Sequence, residues 1–352
     1  MFGKLGRTIV LLLIITALII HYQPQVLPFL EGLISNVQPT EIVTPAVQAQ
    51  TTKPDHLIQR HFNWQAVGKR WSWQITLSQS ACEYFKGLPR IQTDDYSVYV
   101  TNPDDDEYLN ELIQKFRQAR TQSGLSEHEM VAMVVSFVQS IPYVEDKVST
   151  GQDEYPRYPL ETLYDQQGDC EDKSILMASL LDKLGYGVVL LELPDHMAVG
   201  VKGEKSLPGD YITYQGSRYY YLETTEKNWQ IGDAPSKMLN SKVRIRPLIP
   251  KAVLTHQWQS KGSILNYQVT VTVFNQGTAP AANTKVQAMF DAGGSKVYSQ
   301  NTSGTVSIPP GGKATFTVKL RYPHLVKTRI HVQVIANGVL DGESTSEWFT
   351  AK

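Results

Sequence analysis

The amino-acid sequence predicts an α+β protein, in which a body of mixed helices and strands is followed by an all-β domain and preceded by a membrane anchor. Three observations lead to this prediction. An uncharged apolar run lies near the N-terminus, helical and strand periodicities alternate through the middle, and strand periodicity alone continues after Gly262. We therefore divide the 352 residues into a signal-anchor at 1–24, a stalk linker at 25–55, a strand-rich lead-in at 56–106, a core at 107–250 and a sandwich at 255–352.

The composition limits the class of protein. Lys and Arg number 33 against 34 Asp and Glu, a formal charge of -1 that excludes a strongly basic nucleic-acid binder. With 41% hydrophobic and 10% aromatic residues the chain can bury a full core, which excludes wholesale disorder. The two cysteines, Cys82 and Cys170, form no Cys-x-x-Cys motif, so a disulfide-stapled scaffold and a thiolate zinc site are excluded.

The N-terminal segment predicts the cellular location. Lys4 and Arg7 precede an uncharged, mostly aliphatic run from Thr8 to Ile20. Basic residues stay cytoplasmic, so we expect a single-pass protein of the cell membrane with its body outside the cytoplasm. The run also fits a cleaved signal peptide, but no small-x-small site follows closely and we favour an uncleaved signal-anchor. Residues 36–54 lack periodicity and predict an extended stalk.

The lead-in and the first part of the core contain strand and helix patterns. Apolar residues alternate with polar ones over 71–77, which predicts a half-buried strand, and the same alternation at 96–100 predicts another. Residues 107–120 carry apolar side chains at helical spacing. A second helix is predicted to begin at Ser126, which can form a capping box with Glu129.

The last quarter of the chain predicts a sandwich. Alternation recurs at 265–273, 314–320 and 330–334, and a Pro-Pro-Gly-Gly turn occupies 309–312. About seven short strands over roughly 90 residues are typical of an immunoglobulin-like sandwich. The Phe-Asn-Gln-Gly strand end at 274–277 and the Pro-Gly-Gly turn resemble adhesion-related modules of bacterial and archaeal surface proteins. That resemblance implies a surface or cell-wall partner.

The candidate chemistry lies between residues 158 and 225. Gly-Asp-Cys-Glu-Asp at 168–172 stands directly before an apolar-periodic segment, which places Cys170 at a helix N-terminus. Unpaired N–H groups there stabilise a thiolate, so we expect the pKa of Cys170 to fall from ~8.5 toward neutrality. Two predicted strands follow, with His196 just before the second, and a third strand ends at Glu223.

These three side chains could form a nucleophile, a base and an orienting acid. The His196 imidazole would take the Cys170 thiol proton, and Glu223 would hold the ring in the required tautomer. Each residue also has a purely structural interpretation: a cysteine packed in a helix, an incidental histidine, and a surface acid on an edge strand. We favour the catalytic interpretation, because only His196 among the eight histidines falls beside the cysteine helix.

The same residues resemble a known family. Four motifs together are similar to the transglutaminase-like, papain-related superfamily, in particular its prokaryotic extracytoplasmic members: Tyr-Pro-Leu-Glu-Thr-Leu at 158–163, Gly-Asp-Cys-Glu-Asp at 168–172, Asp-His-Met-Ala-Val-Gly at 195–200 and Leu-Glu-Thr-Thr at 222–225. The resemblance spans 107–235 and implies a papain-like core with cysteine peptidase, transglutaminase or other amide acyl-transfer activity. It makes Cys170 the nucleophile, His196 the base and Glu223 the third member, where the family usually has Asp.

The resemblance also suggests an oxyanion donor. By analogy with papain-type glutamines, Gln167 is our candidate and Gln166 the alternative, besides the Cys170 backbone N–H.

The acids flanking the cysteine have two interpretations. In similar periplasmic cysteine proteinases such acids bind calcium, which makes Asp169, Glu171 and Asp172 candidate calcium ligands. We favour a role as helix N-terminal caps, since three ligands are too few for calcium. Carboxylates beside a thiolate raise its pKa. The acids must therefore point into solvent or be neutralised by a cation.

The leading hypothesis is a membrane-anchored, outward-facing cysteine peptidase that hydrolyses a protein or peptide substrate through a thioester at Cys170, with no required cofactor. The first alternative is acyl transfer to an amine, as in a transglutaminase. The second is a non-catalytic surface protein whose core only binds peptides. In a third, a disulfide between Cys82 and Cys170 makes the enzyme latent or serves as a structural link.

Overall fold

The computed structural model describes residues 41–43, 56–236, 241–262 and 267–351. The described residues divide into two compact units, one within Ala46–Val253 with Gly277–Ala279, and one within Met1–Pro45, Leu254–Gln276 and Pro280–Lys352. The anchor predicted at 1–24 lies outside the described residues. Within the described ranges, no helix has both the length and the apolar character needed to cross a membrane.

The secondary structure is a mixture of helices and several sheets, which confirms the predicted α+β class. The described helices are α1 (Gln79–Gly87), α2 (Ser97–Val100), α3 (Asp106–Ser123), α4 (Glu127–Ser140), α5 (Asp146–Ser149), α6 (Pro159–Asp165) and α7 (Cys170–Lys183). The described strands are β1 (Glu41–Val43), β2 (Leu57–Ala66), β3 (Lys69–Ser78), β4 (Val188–Leu193), β5 (His196–Gly203), β6 (Tyr211–Tyr214), β7 (Ser217–Leu222), β8 (Arg244–Pro247), β9 (Leu254–Gly262), β10 (Tyr267–Asn275), β11 (Ala281–Gly293), β12 (Lys296–Thr302), β13 (Val306–Ile308), β14 (Lys313–Leu320), β15 (Val326–Ala336), β16 (Val339–Thr345) and β17 (Phe349–Ala351).

A hairpin of β2 and β3 opens the first unit. The two strands pair antiparallel from Leu57↔Ser78 to Ala66↔Lys69, which confirms the strand predicted at 71–77. Its apolar face packs on α4, where the rings of Phe62 and Trp64 lie 5.1 and 5.2 Å from that of Phe137. The hairpin is thus part of the same core as the helices.

The strand predicted at 96–100 is wrong. Residues Ser97–Val100 form the helical turn α2, and all four are buried. The Asp95 carboxylate accepts a hydrogen bond from Ser97 N–H at 3.1 Å, which favours the helical start. Alternation predicts a strand only where one face meets solvent, and α2 has no solvent face.

The two long helices of the core agree with the sequence. The helix α3 covers the predicted 107–120 and ends at Gly124, whose φ of 65° suits glycine. The helix α4 has the predicted capping box, in which Ser126 and Glu129 bind each other's backbone N–H.

A five-stranded antiparallel sheet completes the first unit. Its strand order is β6-β7-β5-β4-β8, and α7 packs against it. Every side chain of α7 from Asp172 to Leu181 is buried. The helix therefore lies inside the unit, with only its two ends near the surface. Its first residue, Cys170, is half-buried.

The described part of the second unit is all-β, with two antiparallel sheets. One has the order β1-β14-β10-β9 and the other β12-β11-β15-β16, with β13 and β17 joined to it. Alternate side chains are buried along β10, and Tyr267 contacts Phe290 of the other sheet at 5.0 Å between ring centroids. The sheets thus pack face to face. Within the predicted stalk, Glu41–Val43 form β1, which pairs with β14.

Candidate active site

Cys170 is the first residue of α7, and a set of local contacts holds this helix start. The Asp169 carboxylate caps the helix by accepting from Asp172 N–H, and Asp172 reciprocates on Asp169 N–H, both at 3.4 Å. Gly168 provides the space, because a Cβ there would lie 2.6 Å from the Asp172 Cβ. The Cys170 N–H, like those of the whole first turn, has no intrahelical acceptor and can bind an oxyanion.

A buried arginine neutralises the acids behind the helix start. The Arg157 guanidinium is 1% exposed and pairs with both Asp172 and Asp146, the latter at 2.8 Å. Its backbone N–H also donates to Asp172 Oδ1 at 2.6 Å, and Ser149 accepts from the guanidinium at 2.8 Å. Burial and the neighbouring Asp169 raise the pKa of Asp172 to about 8, and the Arg157 guanidinium opposes this rise. The cap interpretation of Asp172 is confirmed.

His196 and Glu223 are brought together by neighbouring strands. His196 begins β5, Glu223 directly follows β7, and the two strands pair up to Val199↔Leu222. The His196 Nε2 atom lies 3.1 Å from Glu223 Oε2. If Nε2 carries the proton, Nδ1 keeps a lone pair and is the basic nitrogen of the neutral ring.

Glu223 is a buried carboxylate surrounded by donors. Oε2 accepts from His196 and from the Tyr221 hydroxyl at 3.0 Å, while Oε1 accepts from the N–H groups of Thr224 and Thr225, both at 3.0 Å, and from the Thr225 hydroxyl at 2.7 Å. Burial alone would raise the pKa of Glu223, but hydrogen bonds from His196 and Thr225 hold this pKa at about 2. The side chain is therefore ionised and can only accept.

The Cys170 sulfur is hydrogen-bonded to the strand that carries His196. The Met197 backbone N–H donates to the Cys170 thiol sulfur, and the Met197 carbonyl accepts from Ser174 Oγ at 3.1 Å. The paired stretch of β5 and β7 stops at Val199, so Met197 lies beyond this ladder and its polar groups face α7 instead. The Cys170 sulfur and the His196 imidazole thus belong to adjoining parts of one hydrogen-bonded edge.

The expected low pKa of Cys170 is wrong. Burial raises the pKa of this thiol well above its usual value, and Glu171 raises it further by accepting a hydrogen bond from Sγ at 2.9 Å. The flanking acids do not all point into solvent either, since Asp169 and Asp172 are buried. The helix N-terminus is therefore outweighed by desolvation and by an adjacent carboxylate.

The acids near the thiol form a different group from the predicted one. Oxygens of Asp146, Asp169 and Glu171 lie within 4.8 Å of one another, and Asp172 is not part of this group. Burial, together with repulsion from Glu171 and Asp146, raises the pKa of Asp169 to about 8. Burial also raises the pKa of Glu171 to about 7, with repulsion from Glu154 and Asp172. Carboxylate oxygens suit calcium in kind, but three of about six to eight ligands, one of them already paired with Arg157, are a partial set.

The two candidate oxyanion glutamines differ in their contacts. Gln166 ends α6 in a left-handed conformation with φ of 54°, and its side chain donates to His61 O at 2.7 Å. The Gln166 side-chain amide is therefore already hydrogen-bonded to β2. Gln167 is half-buried and lies three residues before Cys170. Gln167 remains the better candidate.

Cys82 is separate from the site. It is fully buried in α1, and burial raises its pKa to about 12. Both Cys82 and Cys170 are free thiols, so the disulfide alternative is wrong.

Sequence reasoning missed several side chains that hold the site together. They are Arg157 and Asp146 behind the helix start, and Gln139, Lys173, Ser174 and Tyr221 around Glu223. One signal was available: Lys173 and Ser174 interrupt the beginning of an otherwise apolar helix. Such polar residues on a fully buried helix need internal partners.

Comparisons with known proteins add little to this geometry. No protein-family model matches the chain, and no curated protein matches it. Similar solved structures include β-glucosidase 3B from Thermotoga neapolitana in complex with α-D-glucose, with TM-score 0.20 and 10% identity over 28% of this chain and 17% of that chain. A β-glucosidase from Kluyveromyces marxianus has a TM-score of 0.20 and 16% sequence identity, over 29% of this chain and 14% of that chain. A transglutaminase of red sea bream has a TM-score of 0.23 and 11% sequence identity, over 82% of this chain and 61% of that chain. The chain thus spans less than two thirds of each, and TM-scores this low carry no argument.

Proposed function

We propose that this protein is a thiol enzyme that hydrolyses peptide or other amide bonds through Cys170. One observation carries the proposal: His196 Nε2 lies 3.1 Å from the ionised Glu223, on the strand edge that also binds the Cys170 sulfur through Met197. A buried carboxylate that orients an imidazole beside a thiol is the arrangement that nucleophilic acyl transfer needs.

The first step of the proposed reaction uses general-base catalysis. Because the pKa of the Cys170 thiol is raised, the sulfur is a neutral thiol at rest and not a preformed thiolate. His196 Nδ1 takes the thiol proton as Sγ bonds to the substrate carbonyl carbon. The imidazolium formed is stabilised by the Glu223 charge. It then protonates the leaving amine as the C–N bond breaks, which leaves a thioester on Cys170.

The second step releases the acyl group. Water attacks the thioester, His196 takes a proton from this water, and the restored thiol leaves with that proton. The negative charge on the carbonyl oxygen in both steps would be bound by the Cys170 N–H at the start of α7, with Gln167 as the proposed second donor. Attack by an amine in place of water would make the same machinery an acyltransferase.

A non-catalytic peptide-binding role is the second candidate function. The observation that favours it is the Glu171 carboxylate, which accepts from the Cys170 thiol at 2.9 Å and opposes thiolate formation. In that case the core binds a protein or peptide, and the all-β unit contacts a surface or cell-wall partner.

The location and the metal requirement also belong to the proposal. Residues 1–24 would anchor the protein in the cell membrane with its body outside the cytoplasm. Calcium is optional: Asp146, Asp169 and Glu171 would hold it with hard oxygen ligands, and its charge would offset the acids beside the thiol.

A turnover assay separates the two functions. The full-length protein and Cys170→Ser are incubated with dye-labelled casein, with calcium and with a chelator. Release of labelled peptides by the wild type and not by Cys170→Ser supports the enzyme. Casein binding without release supports the binding module. Transfer of a labelled primary amine into casein in place of peptide release would favour the acyltransferase.

A further inference from the structure

Lys173 is a fully buried cation on the helix that begins with Cys170. Its exposure is 0%, and its ammonium donates to the carbonyls of Ile141 at 2.7 Å and of Gln139 and Thr225 at 3.3 Å each. In the part of the chain that the structure describes, Lys173 forms no ion pair. Its three donors are thus all used by main-chain oxygens.

Two of these carbonyls stand at the end of α4. Gln139 lies in the last turn of this helix and Ile141 is its C-cap residue. Carbonyls at a helix C-terminus lack intrahelical partners, and the helix dipole favours a cation there. Lys173 therefore joins the end of α4 to the first turn of α7.

The third carbonyl belongs to the residue that holds Glu223. Thr225 gives its N–H and its hydroxyl to Glu223 Oε1, while its own carbonyl accepts from Lys173. The Gln139 side chain adds a hydrogen bond to Glu223 O at 2.9 Å. The turn at 223–225 is thus fixed from both sides, and this turn aims the carboxylate at His196.

A positive charge at this place is costly for folding. Burial lowers the pKa of Lys173 to about 8, and the Glu223 carboxylate opposes this lowering. An ammonium without an ion-pair partner costs more to bury than an apolar side chain of similar length. Packing alone would therefore favour methionine at this position, which points to a role beyond filling the core.

We propose that Lys173 is a positioning residue that acts through Thr225 to keep Glu223 Oε2 on the imidazole. This contact selects the His196 tautomer with its proton on Nε2, so that Nδ1 is free for the Cys170 thiol. The consequence for turnover rests on the proposed function, whereas the effect on the tautomer does not.

The test compares two lysines of one helix. Lys173→Met removes the three donors but keeps a chain of similar length. Lys183→Met is the matched control, because Lys183 lies in the last turn of α7 and pairs with Asp106. Full-length protein is isotopically labelled at the histidine ring nitrogens, and the His196 signals are assigned with His196→Gln.

We expect a single Nε2–H tautomer of His196 in the wild type and in Lys183→Met, and a mixture of tautomers in Lys173→Met. Acylation of Cys170 by p-nitrophenyl acetate should also slow by about tenfold or more in Lys173→Met alone. A folded Lys173→Met protein with the wild-type tautomer would overturn the proposal.

A second pair of variants keeps the test decisive if Lys173→Met does not fold. Lys173→Gln keeps two donors without the charge, and Thr225→Val removes the hydroxyl bond to Glu223. Both should yield mixed tautomers, and a wild-type tautomer in both contradicts the proposal. A shifted tautomer together with a wild type that never acylates would support the role of Lys173 while contradicting the proposed function.

Discussion

His196 Nε2 and Glu223 Oε2 are 3.1 Å apart, and this contact leaves Nδ1 as the only ring nitrogen of His196 that can serve as a base. The carboxylate is held by four further hydrogen bonds from three residues of its own strand end, Tyr221, Thr224 and Thr225. The orientation of the His196 ring therefore depends on the backbone conformation at the end of β7.

Replacing the carboxylate by an amide should remove the base function. In Glu223→Gln the amide N–H₂ must face either His196 or Thr225, and both present donors. We expect a loss of about 10²–10⁴ in the acylation rate and about 1–3 kcal/mol in the free energy of unfolding. Stopped-flow acylation and urea unfolding measure these quantities. The exposed Glu226→Gln is the control, and equal rates in the two variants would contradict the orienting role.

Removing the charge beside the thiol should make it more reactive. Glu171→Gln abolishes the carboxylate that raises the pKa of Cys170, so this pKa should fall. The pH dependence of iodoacetamide alkylation at Cys170 measures it. The alkylation profile should move to lower pH, whereas the exposed Asp153→Asn leaves it in place. A profile that moves to higher pH would mean that Glu171 activates the thiol.

Acid titration should have an unusual effect on stability. Because the pKa of Asp169 is raised from 3.8 to about 8, the native state binds more protons than the unfolded state between these values. Since each pKa unit corresponds to about 1.4 kcal/mol, stability should therefore fall as the pH rises through this window, by about 5 kcal/mol. Glu223 has the opposite effect on stability. Because its pKa is lowered from 4.5 to about 2, the stability that its ionised carboxylate contributes is lost as the pH falls below 4.5.

Urea unfolding between pH 4.5 and 8.5 measures this slope. Asp169→Asn keeps a residue that can cap the helix and removes the charge, so its stability should vary less with pH. An identical slope in the wild type and in Asp169→Asn would contradict the assignment.

The buried ion pair behind the helix start should be essential for folding stability. Arg157→Met leaves the buried carboxyl groups of Asp146 and Asp172 without their cationic partner, and we expect a cost of about 3–5 kcal/mol. Lys147→Met is the control, because Lys147 pairs with Asp153 at the exposed surface and should cost below about 1 kcal/mol. Urea unfolding of both variants measures the loss in the free energy of unfolding. Similar losses in Arg157→Met and Lys147→Met would show that Arg157 contributes only packing.

Local patterns predicted the elements that carry the candidate site. The acid-rich turn before an apolar run located the start of α7 at Cys170. The second of the two strands predicted after this helix lies within β5, which begins at His196. Glu223 followed from the end of the third predicted strand, which corresponds to β7. Each of these signals lies within about a dozen residues of the side chain concerned.

The supporting residues could not be predicted in this way. Asp146, Arg157 and Asp172 meet only in the folded chain, and no local period links them. The reversal of the Cys170 pKa has the same origin, because the side of Cys170 on which Glu171 lies depends on how α7 is buried. The error at 96–100 arose because a segment buried on all sides shows alternation without forming a strand.

The most direct test of the central claim is acylation of Cys170 by p-nitrophenyl acetate, with release of p-nitrophenolate followed over time and the acetyl group located by peptide mass analysis. We predict that the wild type gains one acetyl group, on Cys170 and not on Cys82. We also predict that His196→Ala slows this step by about 10²-fold or more. Equal acylation rates in the wild type and His196→Ala would contradict a catalytic unit of Cys170, His196 and Glu223.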